Sequence, residues 1–352
     1  MGFRFSMTRA RLLITTCGSL AVAAAAAAVT WGQTAPAHAG TEPTAPALPM
    51  SNEPAADEAG GNKHLKTSLI SDKSSVAPGD SFLLGVQLDV APGWHTYWPG
   101  LNDTGVAPIF HNLAPSKNLS LKPVEYPAPT RYLSVGLLDH VYEGSATLLI
   151  PATVSSTAKP GDRVTLEIDL EFLVCKDTCI PGRSTLKIEL PVAEKSVADI
   201  KGIETIKAAQ ARLGRVLPAG VTTIWSSPTK LTITAKGSAF LAFYPAEISR
   251  GPTDLIAQGE NSRGGSLELT FDPVKPGADK AAGRVTGLLE VRRSRQASAD
   301  SQAPGLKTQP KIVSEFYTVD VAPPDASLPA KGSVDGGGGG GGNPSATGGV
   351  GP

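Results

Sequence analysis

Cysteine is scarce in this chain of 352 residues, which contains only Cys17, Cys175 and Cys179. A closed zinc site needs four ligands, and the sequence has no Cys-x-x-Cys or His-x-x-x-His run to supply them.

Charge is also scarce: charged residues make up 18% of the chain, and 32 basic residues balance 32 acidic ones. This balance gives no indication of a nucleic acid or an anionic membrane as partner.

Long apolar runs are missing except at the N-terminus. Three arginines lie within the first eleven residues, an alanine-rich apolar run covers 12–29, and the tripeptide AHA precedes Gly40. This order is typical of a secretory signal peptide, which we predict over 1–39, although an uncleaved membrane anchor remains an alternative. Cys17 does not close the apolar run, so it does not fit a lipidation site. We expect export to the periplasm, no stable membrane insertion after signal removal, and a compartment in which disulfides persist.

Glycine and proline, in contrast, are abundant, with 38 and 30 residues. Apolar and polar residues alternate within 81–90, 163–174 and 184–190, and 145–154 indicates a more buried strand. About seven strands in about 130 residues, separated by turn signals, favour an all-β, immunoglobulin-like antiparallel sandwich over 66–195.

The flanking segments have other patterns. Residues 40–65 have no apolar period and are predicted to be a disordered linker. Helical spacing predicts a connecting helix within 196–218, and renewed β runs predict a second, smaller β domain over 219–322. The glycine-rich segment 323–352 is predicted to be a disordered tail.

The run VCKDTCIP places Cys175 and Cys179 on either side of a short turn after an alternating strand. Residues opposed across such a turn can lie within disulfide reach. A loop of five residues gives a stabilisation of about 2 kcal/mol in the chain-entropy model, compared with about 4.7 kcal/mol for a loop of 100 residues. A structural staple and a redox-active pair both remain open from the spacing alone.

Four segments in order resemble the N-terminal periplasmic domain of the DsbD thiol–disulfide interchange family, which includes relatives from copper-tolerance systems. They are GWHTYWPG at 93–100, VEYPAPTR at 124–131, VYEG at 141–144 and VCKDTCIP at 174–181. The resemblance covers roughly 66–192 and implies an immunoglobulin-type fold.

The resemblance also implies a mechanism, that of a thiol–disulfide oxidoreductase of the protein-disulfide reductase type without a cofactor. In the family, a membrane-embedded donor feeds the reduced pair through a thioredoxin-like domain, and the pair reduces oxidised periplasmic proteins through a mixed disulfide. By position, Cys179 matches the cysteine that forms this mixed disulfide and Cys175 the resolving cysteine.

Members of the family shield the pair with a cap loop, which corresponds here to about 131–136. The aromatic residue of the family's cap has no clear match in this stretch, so an ordinary loop is the alternative. The candidate shielding residues are Tyr132, Leu133, Val135, Gly136 and Tyr142. The candidate supporting residues are Trp94, Tyr97, Trp98 and Lys176, with core packing as the alternative for at least two of the three aromatic residues and simple solvation as the alternative for the lysine.

The sequence differs from the family pattern in two respects. The cysteine spacing is shorter than in the best-known members, and the sequence has neither a set of transmembrane helices nor a C-terminal Cys-x-x-Cys domain. We therefore expect separate proteins to supply electrons.

Two alternative functions remain open. One alternative is a periplasmic binding or scaffold protein with a structural disulfide. The other is copper binding or delivery by the cysteine pair with help from a methionine or from a histidine such as His95, His111 or His140.

Overall fold

The computed structural model describes residues 61–261, 264–275, 283–295 and 311–323. The predicted signal peptide and nearly all of the predicted tail lie outside these ranges, as does the linker up to residue 60. The last residues of that linker, 61–65, belong to the first pair of strands.

The part of the chain that the structure describes consists mainly of β-strands. The first group of strands comprises β1 (Gly61–Asn62), β2 (Leu65–Ser71), β3 (Lys73–Ser75), β4 (Ser81–Val90), β5 (Thr96–Tyr97), β6 (Ile109–Pro115), β7 (Leu119–Leu121), β8 (Thr130–Ser134), β9 (Leu137–Tyr142), β10 (Ser145–Val154), β11 (Arg163–Cys175), β12 (Cys179–Pro191) and β13 (Val197–Ala198). After helix α1 (Ile200–Gln210) come β14 (Val221–Ser227), β15 (Lys230–Ala235), β16 (Phe240–Pro245), helix α2 (Leu255–Gln258), β17 (Glu260–Asn261), β18 (Ser266–Thr270), β19 (Val285–Arg295) and β20 (Lys311–Val321).

The first β region, β1 to β13, contains a sandwich of antiparallel sheets. One sheet has the order β1-β2-β4-β10-β7, and the facing sheet has the order β12-β11-β6. Alternate residues of β4 and β11, such as Leu84, Val86, Leu166 and Ile168, are buried between the two sheets. The period of two in the sequence therefore reports burial of one face of each strand.

Helix α1 connects the two β regions. Its N-cap, Asp199, accepts hydrogen bonds from the backbone N–H groups of Lys201 and Gly202, which satisfies donors that have no partner within a helix. A Cβ at Gly202 would collide with the carbonyl oxygen of Ser71, so the close approach of this helix to β2 requires glycine. Ile206 and Ala209 complete the contact by packing in a cluster of their own with Leu149.

The second β region, β14 to β20, also packs sheet against sheet. Its sheets have the orders β14-β15-β18 and β17-β16-β19-β20, and their core includes Leu231, Ile233, Phe243 and Leu289. The architecture confirms the predicted all-β class with a sandwich, a connecting helix and a second, smaller β part. Short strands such as β1, β3 and β5 raise the number in the first region above the expected seven, because strands of two or three residues show no alternation.

Strand β16 contributes to both hydrophobic cores. Leu241 and Phe243 lie in the core of the second β region, whereas Ala242 and Tyr244 pack with the core of the first. Because successive side chains of a strand point to opposite faces, β16 is apolar on both faces and buried along nearly its whole length.

A third sheet of the first β region, β5-β9-β8, lies beside the cysteine pair. Strands β8 and β9 form a hairpin whose turn residues, Val135 and Gly136, have φ angles of 51° and 80°. Positive φ at both central positions is typical of a type I′ turn, which favours Asn-Gly. Valine is unfavourable at such a φ because its branched Cβ crowds the backbone.

No helix among the described residues is long and apolar enough to cross a membrane.

We expect the substitution Val135→Asn to stabilise the β8–β9 hairpin. The Val135 side chain is 99% exposed, so the replacement loses no packing, and it relieves backbone strain of the order of 1 kcal/mol. Hydrogen exchange should slow at amides of 130–142 while those of β11 remain unchanged. The substitution Val106→Asn, at an exposed valine without positive φ, is the control. Faster exchange in the hairpin of Val135→Asn would contradict the strain argument.

Candidate functional site

Cys175 and Cys179 form a disulfide at the end of the longest strand pair in the first β region. Strands β11 and β12 are paired from Arg163 opposite Pro191 to Cys175 opposite Cys179. The two cysteines have a Cα–Cα distance of 4.1 Å, and 176–178 form the turn between them, in which Lys176 N donates to Thr178 O at 3.1 Å. The sequence prediction of a cysteine pair that flanks a hairpin turn agrees with this geometry.

A neighbouring strand fixes the backbone of Cys175. Cys175 and His95 exchange two backbone hydrogen bonds, at 2.8 and 2.9 Å. The hydroxyl of Thr96 donates to the carbonyl oxygen of Leu173 at 2.8 Å. Cys175 is therefore held from two sides, by β12 and by the segment that leads into β5.

Both sulfur-bearing residues are buried, with exposed fractions of 2% for Cys175 and 6% for Cys179. They form a small cluster with Tyr97 and Val141, against which the ring of Tyr132 packs. A thiolate must approach a sulfur atom directly to exchange with a disulfide. The groups around the pair therefore limit access to its sulfur atoms.

A cavity of about 280 Å³ opens beside the disulfide. Its walls come from the β8–β9 hairpin on one side and from the turn 176–178 on the other. The lining residues of the hairpin are Tyr132, Ser134, Val135, Leu137 and Asp139. The hairpin thus forms one wall of the approach to the sulfur atoms.

A chain of polar groups leads from Cys179 to a buried carboxylate. The Tyr97 hydroxyl lies 3.7 Å from Cys179 Sγ and 3.1 Å from Thr104 Oγ1. Thr104 donates its hydroxyl hydrogen to Asp139 Oδ2 at 2.6 Å and its backbone N–H to Asp139 Oδ1 at 3.0 Å. Because the Thr104 hydrogen is committed to the carboxylate, the Tyr97 hydroxyl is the donor toward Thr104 or toward the sulfur.

Burial keeps the ring groups of the site neutral near pH 7. It lowers the pKa of His95, an effect that the negative charges of Asp139 and Glu143 oppose. It also raises the pKa of Tyr97, which the hydrogen bond with Thr104 opposes. The disulfide is therefore flanked by an uncharged imidazole and a protonated phenol.

The structure brings together several of the residues predicted from the sequence. Tyr97, Tyr132, Val135 and Lys176 line the cavity with the two cysteines. Leu133 and Gly136 belong to the same hairpin but are not among its lining residues, and the Leu133 side chain is mainly exposed.

Three predicted residues lie elsewhere. Trp94 stacks on the ring of His64, with centroids 3.7 Å apart. Trp98 and Tyr142 belong to the main core, and the Tyr142 hydroxyl donates to the carbonyl oxygen of Pro127 at 2.6 Å. These three residues do not line the cavity.

The sequence prediction missed Thr104, Leu137 and Asp139 as lining residues, and it considered His95 only as a copper ligand. Leu137 and Asp139 alternate along β9, so they share the face that Val141 presents to the disulfide. Asp139 is a polar residue at a position where the alternation of β9 predicts a buried side chain. This mismatch could have identified it from the sequence. Thr104 lies in a loop, and no periodicity identifies it.

The three histidines proposed as copper ligands are separated. His95 lines the cavity, and His111 pairs with Glu171 at 2.8 Å on the surface. His140 packs between Trp98 and Tyr244. Among the described residues, no group of three or more His, Cys, Asp and Glu side chains is arranged to hold a metal ion.

Comparison with known proteins agrees with the sequence motifs. Residues 66–191 match the family model of the N-terminal domain of the thiol:disulfide interchange protein DsbD. The resemblance predicted from the four motifs is therefore confirmed over this range. No curated protein sequence matches the chain.

Two solved structures are also similar to parts of this chain. The N-terminal periplasmic domain of ScsB from Proteus mirabilis is 16% identical, with a TM-score of 0.44, and the match covers 75% of this chain and 95% of that chain. The seventh ScaB type I cohesin from Pseudobacteroides cellulosolvens is 18% identical, with a TM-score of 0.21, and the match covers 34% of this chain and 91% of that chain.

We expect His140 to make the protein less stable in acid. Its Nδ1 donates to the carbonyl oxygen of Leu101 at 2.9 Å, and burial lowers its pKa from 6.5 to about 4. Between these values the unfolded chain binds a proton that the folded protein excludes, so stability falls as the pH drops below 6.5. The expected loss in the free energy of unfolding from pH 7 to pH 5 is about 2 kcal/mol.

Urea unfolding at the two pH values measures this loss. The variant His140→Gln should lose less stability between pH 7 and pH 5 than the unmodified protein. The variant Val106→Asn, at an exposed residue that does not titrate, is the control and should retain the full loss. An equal loss in the protein with and without His140 would show that another group is responsible.

Proposed function

We propose that this protein is a periplasmic thiol–disulfide exchange protein that passes electrons to oxidised client proteins through Cys175 and Cys179. The observation that carries the proposal is the position of the disulfide. It closes a three-residue turn at one end of a paired strand, beside a cavity of which the β8–β9 hairpin forms one wall. The match of residues 66–191 to the DsbD N-terminal domain supports the same chemistry.

The disulfide contributes little to holding β11 and β12 together. The two strands are already aligned along their whole length by backbone hydrogen bonds and by burial of alternate side chains. Closure of a five-residue loop adds only about 2 kcal/mol in the chain-entropy model. Opening and closing of this bond is therefore compatible with an intact sandwich.

The exchange balances in two steps. The Cys179 thiolate attacks one sulfur of the client disulfide, a Cys179–client bond forms, and the other client sulfur leaves as a thiolate that takes up a proton. The Cys175 thiolate then attacks Cys179 Sγ, the internal disulfide forms, and the first client sulfur leaves. Two electrons pass to the client, and a thiol donor must reduce the pair again.

The surroundings of the two sulfurs fit unequal roles. Cys179 is the more exposed of the pair and has the Tyr97 hydroxyl near its sulfur. A phenol that donates a hydrogen bond stabilises a thiolate. These features support Cys179 as the attacking residue and Cys175 as the resolving residue.

The proposed partners are thioredoxin-like periplasmic proteins and a separate membrane-embedded thiol donor. The leader-like N-terminal sequence and the family match of residues 66–191 support a periplasmic location. We further propose that 66–195 form the redox domain and 219–322 a second domain.

Burial of both cysteines favours one alternative function, a binding or scaffold protein with a structural disulfide. The reduction potential of the pair separates the two functions. We expect a value between roughly −270 and −120 mV, the range of known exchange proteins. Equilibration of the chain with glutathione, followed by counting of free thiols by mass, gives the potential. A value below about −300 mV with a large fall in melting temperature on reduction would favour the structural alternative.

A trapping experiment tests the roles of the two cysteines. We expect Cys175→Ser to accumulate a mixed disulfide with an oxidised thioredoxin-like protein, because the resolving thiolate is missing. The matched variant Cys179→Ser should accumulate much less of it. Non-reducing electrophoresis and intact mass measure the adduct, and the reverse pattern would exchange the two roles.

A further inference from the structure

Arg131 connects the β8–β9 hairpin to the second β region. Its Nη2 donates to the carbonyl oxygens of Leu255 and Ile256 in α2, at 3.2 Å each. Its Nε lies 3.8 Å from Glu260 Oε2 at the start of β17. These contacts join segments that are more than 120 residues apart in the sequence.

The Arg131 side chain is mostly shielded from water, whereas that of Glu260 is about half exposed. The Arg131 side chain is 12% exposed, and burial lowers the pKa of its guanidinium, an effect that the charge of Glu260 opposes. A buried cation is costly unless its donors are satisfied. Nη2 and Nε of Arg131 have partners, whereas Nη1 has no hydrogen-bond partner among the described residues. Because a charged donor forms stronger hydrogen bonds than a neutral one, the position of the hairpin depends on these partners.

Gly259 shows how closely the Arg131 side chain packs against the end of α2. A Cβ at this position would collide with Arg131 Nη1 and with the carbonyl oxygen of Leu255. The φ of Gly259 is −66°, so the residue is not required for an unusual backbone conformation. The space that glycine leaves admits the guanidinium.

Arg131 and Tyr132 are adjacent in β8, so their side chains point to opposite faces of the strand. The Tyr132 ring packs against the disulfide cluster, and its centroid lies 4.5 Å from that of His95. The same short piece of backbone thus contacts α2 with one side chain and covers the disulfide with the next.

Strand β8 is the outer strand of its sheet and pairs only with β9 among the described strands. Strand β9 has further ties, since Asn102 and Asp103 accept hydrogen bonds from the backbone N–H groups of His140 and Leu138. Just before β8, Arg212 donates to the carbonyl oxygens at 128 and 129. From there on, Arg131 links β8 to α2 and β17 of the second β region.

We propose that Arg131 is a positioning residue through which the second β region holds the β8–β9 hairpin closed over the cysteine pair. This inference rests on the proposed exchange function and gives the second β region a role in it. Release of Arg131 from α2 frees β8 and withdraws Tyr132 from the sulfur atoms. Access of any thiol to the disulfide then increases.

The test uses the full chain and reduction of its disulfide by dithiothreitol at fixed pH. We expect Arg131→Gln to be reduced about tenfold faster than the unmodified protein, because glutamine loses the charge and the reach of the guanidinium. Gly259→Ala disturbs the same contact from the other side and should accelerate reduction as well. The control is Arg163→Gln, which removes an exposed ion pair with Glu189 at the far end of β11 and should leave the rate unchanged.

Hydrogen exchange distinguishes hairpin opening from general loss of stability. In both test variants, amides of 130–142 should exchange faster while those of β11 and β15 keep their protection. In the double variant Arg131→Gln/Val135→Asn, the disulfide should be reduced more slowly than in Arg131→Gln alone, because Val135→Asn stabilises the same hairpin. If Arg131→Gln and Gly259→Ala are both reduced at the unmodified rate, or if acceleration occurs only with loss of protection throughout, the proposal is wrong.

The outcomes separate this inference from the proposed function. Reduction by a small thiol reports access to the disulfide whether or not a protein partner uses it. A potential below about −300 mV would overturn the exchange function. Unchanged reduction rates together with a potential in the exchange range would overturn only the role of Arg131.

Discussion

The pairing of β11 with β12 is the constraint on which the site depends. It places Cys175 opposite Cys179 at the end of the ladder and leaves only three residues for the turn. A slip by one residue would move the alternate apolar side chains of β11 out of the core and separate the cysteines. The packing of the sandwich and the chemistry of the pair are thus set by the same register.

Much of this register could be predicted from the sequence. The alternation within 163–174 and 184–190 predicts two strands that each bury one apolar face. The two cysteines indicate where the turn between these strands lies. The pattern could not reveal how β16 is buried, because a strand with two apolar faces, such as that containing Phe243 and Tyr244, shows no alternation. The contacts of Arg131 with α2 were equally hidden, since nothing local indicates which distant carbonyl groups an arginine will meet.

The separation of the candidate supporting residues has a physical cause. Trp94, Tyr97 and Trp98 are neighbours in sequence, and core packing was the alternative role for at least two of them; an extended backbone sends adjacent side chains to opposite faces. Tyr97 therefore contacts the cysteines while Trp98 enters the main core. On β9 the same rule brings Asp139 to the cavity and turns His140 toward Tyr244.

Burial of the disulfide and its proposed reactivity make opposite demands on the β8–β9 hairpin. A buried pair is protected from adventitious thiols, but a pair that exchanges must be reached by the attacking sulfur along the axis of the bond. Both demands are met if the hairpin is held over the disulfide by a few contacts that can break individually, and not by a continuous apolar core. Strand β8 and the tip of the hairpin have this character, whereas β9 is buried. Leu133 and Val135 are exposed, and among the described residues the Arg131 guanidinium links β8 to α2. Such a contact can be broken without exposing a large apolar surface, so opening can remain local while both sandwiches stay folded.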